Sequence, residues 1–373
     1  MLPGRMRFQH HEAITCSCYT PAAVKDTAPL RPDERFDVTA LERFLEDKLP
    51  ATGGSLEVEQ FPGGHSNLTY LLRYPGAEYV LRRPPLGPLV PTAHDMGREY
   101  RALRALWPVF RPAPRPFVYC DDPAVIGAPF YVMERRRGLV IRDAEPKEWG
   151  GDRAIRRRAS LAVIDTLADF HAVDWRAAGL GELGRPEGFV LRQVTGWAAR
   201  WERAKDREVP AITDVARWLG DRLPAPGAAT LVHNDWKLDN VMLDPADPGT
   251  VVAVLDWELC TLGDPLVDLG TFLCYWTEEG EPYARQGAAA VTSLPGWLTR
   301  AELVERYAAR SGRDVSTIAW YEVFALYKTA VVVQQIYIRW KRGQTKDERF
   351  GAMAPRVEAL ARSAAELAER SGL

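Results

Sequence analysis

The feature that most constrains the fold is a change in the spacing of apolar residues near Glu134. Before this point the chain shows short runs of alternating apolar residues separated by turn residues, which is the pattern of β-strands. After it, apolar residues recur at helical spacing over long stretches. The sequence therefore predicts an α+β fold, in which a small antiparallel sheet lobe precedes a mostly helical lobe.

The segment before residue 134 predicts a small sheet with few helices. Residues 62–67 and 75–76 contain Pro and Gly, and this turn chemistry predicts two antiparallel hairpins. The predicted strands are residues 56–61, 68–74, 79–82, 117–120 and 129–134, and the predicted helices are residues 38–48 and 96–106. We assign residues 36–134 to this lobe and expect residues 1–35, which show no periodicity, to form a poorly ordered tail.

The segment after residue 134 predicts helices around a short strand-rich centre, and we assign residues 135–373 to this second lobe. The predicted helices are residues 155–171, 196–204, 212–219, 267–276, 300–310, 318–340 and 353–370. The predicted strands are residues 230–233, 241–243 and 251–255. The polar side chains with the clearest chemical pattern lie among these strands.

Composition narrows the class of function. The formal net charge is -2 in 373 residues, so the chain as a whole has no bias toward nucleic acid or anionic membranes. No apolar stretch approaches the ~20 residues of a membrane span, and the first residues lack the apolar centre of a secretory signal. The five cysteines have neither disulfide-scaffold nor zinc-finger spacing. We therefore predict a cytoplasmic protein with reduced thiols whose partner is a small molecule.

Two carboxylates and one carboxamide lie at strand ends in the second lobe. Asp235 and Asn240 lie in a polar loop between two apolar strands, and Asp256 directly follows another strand. Hard oxygen ligands of this kind suit Mg²⁺, which uses one or two carboxylates together with substrate phosphates. Phosphoryl transfer requires positioning, charge neutralisation and a base for the attacking hydroxyl. The arrangement fits that reaction.

The spacing His233-x-Asp235-x-x-x-x-Asn240, followed by Asp256, resembles the catalytic loop and metal aspartate of the aminoglycoside phosphotransferase and protein-kinase-like superfamily. The resemblance covers about residues 41–350 and is greatest to the branch that includes the kinase-like domain fused to some acyl-CoA dehydrogenases. It implies a two-lobed protein-kinase-like fold that uses ATP and Mg²⁺. It also implies that Asp235 accepts the proton of the substrate hydroxyl, that Asn240 and Asp256 bind Mg²⁺, and that His233 supports the loop.

The resemblance also implies nucleotide-binding residues in the first lobe. Gly63, Gly64, Ser66 and Asn67 lie in the first hairpin turn, where backbone N–H groups can face phosphate oxygens. Because hairpin turns use glycine for their own geometry, this assignment depends on the rest of the pattern. Arg82 stands where the family usually has lysine, and its guanidinium can also neutralise phosphate.

Five further residues take roles from the same resemblance. Glu99 matches the acid that pairs with the cation at position 82, and Met133 and Glu134 belong to the segment between the lobes whose backbone binds adenine. Asp268 matches the acid that holds the catalytic loop by hydrogen bonds. Glu258 is either close to the metal or an acid at the start of a helix.

The acceptor is predicted from charge. From Cys274 onward basic residues slightly outnumber acidic ones, which disfavours a polycationic aminoglycoside because each ammonium group needs a carboxylate partner. Together with the resemblance to the kinase-like domain fused to acyl-CoA dehydrogenases, this charge pattern predicts that the acceptor is a hydroxylated acid or a hydroxyacyl-CoA. The candidates for the acceptor pocket are Trp257, Tyr275, Trp276, Lys328, Gln335 and Arg339, and the cations Lys328, Arg339, Lys341 and Arg342 lie on or near one long predicted helix.

Three alternatives remain open from the sequence. A non-catalytic, nucleotide-binding pseudokinase is supported only by Arg82, since Asp235, Asn240 and Asp256 are all present. A kinase for aminoglycoside- or choline-like amino alcohols shares the same motifs. A metal hydrolase that uses His233 and Asp235 is disfavoured, because the chain has no His-x-x-x-His ligand pair.

Overall fold

The two predicted lobes are present in the structure, and each has a hydrophobic core. The structure is a computed structural model that describes residues 26–62, 67–86, 95–281, 290–345 and 347–373. One core lies within the sheet lobe, and the larger one fills the helical lobe and reaches the underside of the sheet. The predicted α+β fold is confirmed.

A five-stranded antiparallel sheet forms the first lobe, in the order β1-β2-β3-β5-β4. Its strands are β1 (Glu57–Gln60), β2 (Leu68–Tyr74), β3 (Ala77–Arg83), β4 (Pro116–Cys120) and β5 (Phe130–Glu134). Side chains alternate between the faces of a strand. Leu81 of β3 therefore faces the core of this lobe, whereas Val80, with Tyr131 and Met133 of β5, faces the helical lobe.

Short capped helices complete the first lobe: α1 (Val38–Leu45), α2 (Met96–Leu106) and α3 (Pro123–Ile126). Asp37 and Asp95 cap α1 and α2 by accepting hydrogen bonds from backbone N–H groups of the first turn. Leu41 of α1 is buried in the core of the sheet lobe, and Leu103 of α2 is buried in the larger core. Helix α2 thus connects the sheet to the second lobe.

Residues 26–35, which the sequence placed in a poorly ordered tail, lie against the sheet. Ala28 and Gln60 exchange two backbone hydrogen bonds of 2.8 Å, and Pro32–Glu34 form a short 3-10 helix. An edge strand presents unpaired backbone groups, and this segment satisfies some of them without any apolar periodicity. The rest of the predicted tail, residues 1–25, lies outside the described residues.

Helices make up most of the second lobe. They are α4 (Arg153–His171), α5 (Phe189–Ala204), α6 (Pro210–Asp221), α7 (Pro265–Tyr275), α8 (Arg300–Ser311), α9 (Ile318–Lys341) and α10 (Ala354–Arg370). The 24 residues of α9 form the centre of the lobe and pack against α5, α7 and α10. None of the described helices is both long and apolar enough to cross a membrane.

Two small sheets in the second lobe position the polar loops. They contain β6 (Leu139–Val140), β7 (Thr230–Val232), β8 (Val241–Leu243), β9 (Val251–Val254) and β10 (Thr261–Gly263). Because β8 pairs with β9 and β7 pairs with β10, the loops 233–240 and 255–260 leave the sheets side by side. The sequence did not predict β6 and β10, since such short strands give no detectable alternation.

The ends of the predicted elements differ from the observed ones by a few residues in most cases. The main exception is α5, which begins at Phe189 rather than at residue 196. Phe189 is buried beside Gly263 of β10, where a Cβ would lie 2.6 Å from the phenyl ring. This long-range contact extends the helix.

The close approach of α7 and α9 at Gly270 predicts the effect of a substitution. A Cβ added at Gly270 would lie 2.6 Å from the backbone oxygen of Tyr321, so the two helices would have to move apart. We expect Gly270→Ala to lower the free energy of unfolding in urea by about 1–3 kcal/mol.

The matched control is Gly220→Ala on α6, where a Cβ meets no atom within 4 Å. Because alanine favours helix more than glycine does, this variant should leave the free energy of unfolding unchanged or raise it slightly. Equal losses in the two variants would contradict the packing described for α7 and α9.

Candidate active site

Asp268 holds the loop that carries the candidate catalytic residues. It lies in the first turn of α7, is fully buried, and accepts backbone hydrogen bonds from His233 at 2.5 Å and from Asn234 at 2.6 Å. Burial alone would raise the pKa of Asp268, but the hydrogen bonds from His171 and from the loop hold that pKa below its usual range. An ionised carboxylate thus fixes the start of the loop.

His233 supports the loop from within. Its Nε2–H donates to the backbone oxygen of Leu255 at 2.9 Å, and its ring lies against the rings of Trp236 and Trp257. The imidazole is completely buried, so it is shielded from any substrate. The contact with Leu255 ties the loop 233–240 to the loop that contains Asp256.

Asp235 lies on the open side of the same loop. Its carboxylate is 22% exposed, and Oδ2 accepts hydrogen bonds of 2.8 Å from Asn240 Nδ2 and from Lys237 Nζ. The Lys237 ammonium also lies 5.3 Å from the centroid of the Tyr275 ring. Two donors therefore fix the carboxylate while leaving part of it accessible, as a base for a bound hydroxyl requires.

Asn240 and Asp256 are neighbours because β8 and β9 pair. Asn240 directly precedes β8, Asp256 follows β9, and the N–H of Leu255 donates to the backbone oxygen of Asn240 at 2.8 Å. Burial alone would raise the pKa of Asp256, but the Arg82 guanidinium, at 3.0 Å from Oδ1, holds that pKa below its usual range. Asp256 is thus an ionised carboxylate beside a carboxamide.

Arg82 and Glu99 form a buried ion pair beneath the sheet. Arg82 Nη1 lies 2.8 Å from Glu99 Oε1, and the Glu99 side chain is completely buried. Burial alone would lower the pKa of Arg82, yet the Glu99 carboxylate holds it well above its usual range. The guanidinium therefore connects β3 and α2 of the first lobe with Asp256 of the second.

Glu258 makes a second contact between the lobes. Asn67 Nδ2 donates to Glu258 Oε2 at 2.7 Å. Burial, and then the charge of Asp256, raise the pKa of Glu258 to about 7. Carboxyl groups concentrated in this way favour a nearby cation.

The donor set fits Mg²⁺. Asn240 uses its Nδ2 group on Asp235, and its carboxamide oxygen is the hard oxygen atom that this side chain can offer a cation. Among the described residues no cluster of three or more His, Cys, Asp and Glu forms a metal cage. A site of one or two carboxylates completed by substrate phosphates is the arrangement that Mg²⁺ commonly uses.

The remaining nucleotide-binding candidates have mixed placements. Met133 lies on the face of the sheet that points to the helical lobe. The backbone N–H of Glu134 donates to the backbone oxygen of Arg115, the residue before β4, at 2.8 Å. This N–H is therefore used within the sheet rather than for adenine. The candidates Gly63, Gly64 and Ser66 lie outside the described residues.

Three of the acceptor-pocket candidates are corrected by the structure. Trp257 and Trp276 are buried in the core, where their indole N–H groups donate to backbone oxygens of Val254 and Leu298. The sequence could not separate these core aromatics from a pocket. Lys328 donates to the backbone oxygen of Asn234 at 2.7 Å and is not free to meet a substrate carboxylate.

The other basic and polar candidates are spread along the end of α9. Lys341 pairs with Asp206 at 2.6 Å, Arg339 is exposed, and Gln335 is half-buried. Sequence reasoning missed Lys237, although its position two residues after Asp235 in the polar loop was a usable signal. It also missed the contact of Lys328 with the loop, for which no local signal exists.

Comparisons with known proteins show the family and the fold of this chain. The profile of the phosphotransferase enzyme family matches residues 57–303. Acyl-CoA dehydrogenase family member 11 of Gallus gallus is 35% identical over 356 residues, which are 92% of this chain and 45% of that protein. The chain thus spans less than half the length of this protein and of the same protein of Rattus norvegicus, which it also matches.

Two crystal structures share the fold. A protein of Ralstonia eutropha JMP134, provisionally described as an aminoglycoside phosphotransferase, is 31% identical with a TM-score of 0.78, over 90% of this chain and 99% of that one. A thermostable mutant of an aminoglycoside phosphotransferase, in a ternary complex with AMP-PNP and hygromycin B, is 18% identical with a TM-score of 0.56, over 87% of this chain and 99% of that one. The second similarity shows the fold alone.

The buried His171 predicts how stability depends on pH. Its ring accepts from the Tyr307 hydroxyl at 2.7 Å and donates to Asp268 at 3.3 Å. Burial lowers the pKa of His171 below 6.5, so the unfolded chain takes up a proton near pH 6.5 that the folded chain does not. His171 should therefore contribute a free energy of unfolding that falls as the pH decreases from 7.5 to 5.5, by at most about 1.4 kcal/mol per pH unit. Glu258, whose pKa is raised to about 7, contributes in the opposite sense, so the contribution of His171 is measured as a difference between the wild type and a variant.

The measurement is urea denaturation across this pH range for the wild type and for His171→Gln. The variant lacks His171 but keeps Glu258, so the free energy of unfolding of the wild type minus that of the variant should decrease as the pH falls over this interval. Parallel pH dependences in the two proteins would show that His171 is not responsible.

Proposed function

The chain belongs to the phosphotransferase enzyme family, and from this premise we propose that it transfers the terminal phosphoryl group of ATP to a hydroxyl group of a small molecule, with Mg²⁺. One observation carries the proposal. The accessible carboxylate of Asp235 is held by Asn240, and Asn240 is held beside Asp256 through the backbone of Leu255. These contacts support Asp235 as the base and Asn240 and Asp256 as hard oxygen ligands of one Mg²⁺ ion.

Asp235 is proposed to orient the acceptor hydroxyl and to accept its proton. Its Oδ2 already receives two hydrogen bonds, which leaves Oδ1 to meet the hydroxyl. Because these donors fix the carboxylate before the acceptor arrives, little reorganisation is needed during the reaction.

Asn240 and Asp256 are proposed to hold Mg²⁺, with Glu258 close by. When bound there, Mg²⁺ supplies charge neutralisation at the nucleotide phosphates. Arg82 is proposed to bind a phosphate, with Glu99 fixing the orientation of its guanidinium. The complex of the structurally similar aminoglycoside phosphotransferase with AMP-PNP supports ATP as the donor.

The first functional test concerns Asp235. We expect Asp235→Asn to reduce phosphate transfer by roughly 10²–10⁴-fold, because an amide cannot accept the proton. Binding of Mg·AMP-PNP, measured by calorimetric titration, should stay within a few-fold of the wild type. The matched control is Asp214→Asn, an exposed acid on α6 that pairs with Arg217.

Two outcomes would contradict the role proposed for Asp235. Transfer by Asp235→Asn at the wild-type rate would exclude it as the base. If the wild type bound the nucleotide but transferred phosphate to no acceptor in a metabolite library, the chain would be a nucleotide-binding scaffold instead.

For the acceptor we propose a hydroxylated acid or a hydroxyacyl-CoA. Two cations lie at the Asp235 loop, each with an aromatic ring beside it. Lys237 donates to the Asp235 carboxylate and lies 5.3 Å from the Tyr275 ring centroid, and Lys328 donates to the backbone oxygen of Asn234 and lies 5.9 Å from the Trp197 ring centroid. Such surroundings favour an anionic molecule over a polycation. The curated relatives are named as members of the acyl-CoA dehydrogenase family, and this supports an acyl-CoA derivative as the acceptor.

A screen of acceptors tests this choice. We expect ADP release, measured with a coupled assay, to rise at least about tenfold with hydroxyacyl-CoAs or hydroxy acids, because their anionic groups match the cations near Asp235. Non-hydroxylated acyl-CoAs are the control and should give no increase. Stimulation by aminoglycosides or choline, with none by hydroxyacyl-CoAs, would contradict the proposed acceptor class.

A further inference from the structure

The loop that carries Asp235 contains an unusual backbone conformation. Among the described residues other than glycine, only Asn234 and Asp256 have positive φ, both at 65°. Side chains with a Cβ disfavour this left-handed region, which persists only where surrounding contacts hold it. Asn234 directly precedes Asp235, so the direction of its peptide bond determines where the Asp235 carboxylate points.

Contacts from three sides hold Asn234. Its N–H donates to Asp268 at 2.6 Å, and its side chain donates to the backbone oxygen of Leu259 at 2.9 Å. Its own backbone oxygen, which belongs to the peptide bond with Asp235, accepts from Lys328 Nζ at 2.7 Å. Lys328 is therefore the residue whose contact fixes the peptide on the side of Asp235.

Lys328 is placed for this contact by the centre of the helical lobe. It lies in the middle of α9, between the buried residues Tyr327 and Thr329, and its ammonium is 5.9 Å from the Trp197 ring centroid. Burial lowers the pKa of this lysine. Burying an ammonium group is unfavourable. Its contact with a neutral carbonyl therefore indicates that the peptide group between Asn234 and Asp235 must be held in place.

We propose that Lys328 is a positioning residue for Asp235, and this inference rests on the proposed role of Asp235 as the base. The Lys328 ammonium holds the peptide between Asn234 and Asp235 so that the carboxylate stays on the donors Asn240 and Lys237. Without the contact from Lys328, Asn234 can relax from its positive φ to the commoner negative values. The Asp235 carboxylate then moves away from Asn240 and Lys237. The effect falls on the rate of transfer, since Lys328 donates to the loop and not to Arg82 or Asp256.

The test compares substitutions at Lys328 by two independent measurements. Lys328→Met removes the donor at similar volume, and Lys328→Gln retains a neutral N–H donor. Lys341→Met is the control on the same helix, because Lys341 pairs with Asp206 at the C-terminal end of α9. All three are made in the full chain.

The first measurement is hydrogen–deuterium exchange of peptides that cover residues 230–243, without any ligand. We expect exchange in Lys328→Met to be at least about tenfold faster than in the wild type, because a hydrogen bond from a charged donor is lost. Lys328→Gln should fall between the two, and Lys341→Met should match the wild type. Unchanged exchange in Lys328→Met would overturn the proposal.

The second measurement uses Mg·ATP with water as the acceptor and Mg·AMP-PNP as the binding probe. Lys328→Met should lose at least about tenfold in the rate of ADP release while its affinity for Mg·AMP-PNP stays within about twofold. A loss of affinity with an unchanged rate would overturn the positioning role. If the wild type neither binds the probe nor releases ADP, the proposed function fails, and the exchange measurement still decides whether Lys328 holds the loop.

Discussion

The Arg82 guanidinium lies between two carboxylates, Glu99 at 2.8 Å and Asp256 at 3.0 Å, and the arrangement of the site depends on this contact. Glu99 comes from α2, Arg82 from the sheet and Asp256 from the helical lobe. If the guanidinium were absent, the buried Glu99 carboxylate would be uncompensated, at a cost of about 3–5 kcal/mol. The same contact sets the position of the first lobe over the loops of the second, and the hydrogen bond from Asn67 to Glu258 reinforces it.

In the second lobe, hydrogen bonds from buried side chains hold individual peptide groups of the loop that precedes Asp235. Asn234 and Asp256 hold a left-handed conformation at the two loops of the site. Asp268, from within α7, satisfies the backbone N–H groups of His233 and Asn234, and Lys328 satisfies the backbone oxygen of Asn234. These buried contacts keep the loop ordered, so the fold pre-organises it for the role proposed for Asp235.

Much of the fold and the centre of the site could be predicted from the sequence because their signals are local. The alternation of β2 and β3, the period of α4 and the offsets between Asp235 and Asn240 all lie within short windows. The strands β6 and β10, the burial of Trp257 and Trp276, and the contact of Lys328 could not be found in this way. Each depends on a partner far along the chain, such as the 94 residues that separate Lys328 from Asn234.

The most direct test of the central claim is a crystal structure of this chain with AMP-PNP and Mg²⁺. The account predicts one metal ion within about 2.0–2.1 Å of oxygens of Asn240 and Asp256, with the Arg82 guanidinium moved from Asp256 onto a phosphate and the Asp235 carboxylate facing open space. A nucleotide bound elsewhere, or bound between the lobes while Asp256 stays on Arg82 and no metal contacts Asn240, would contradict it.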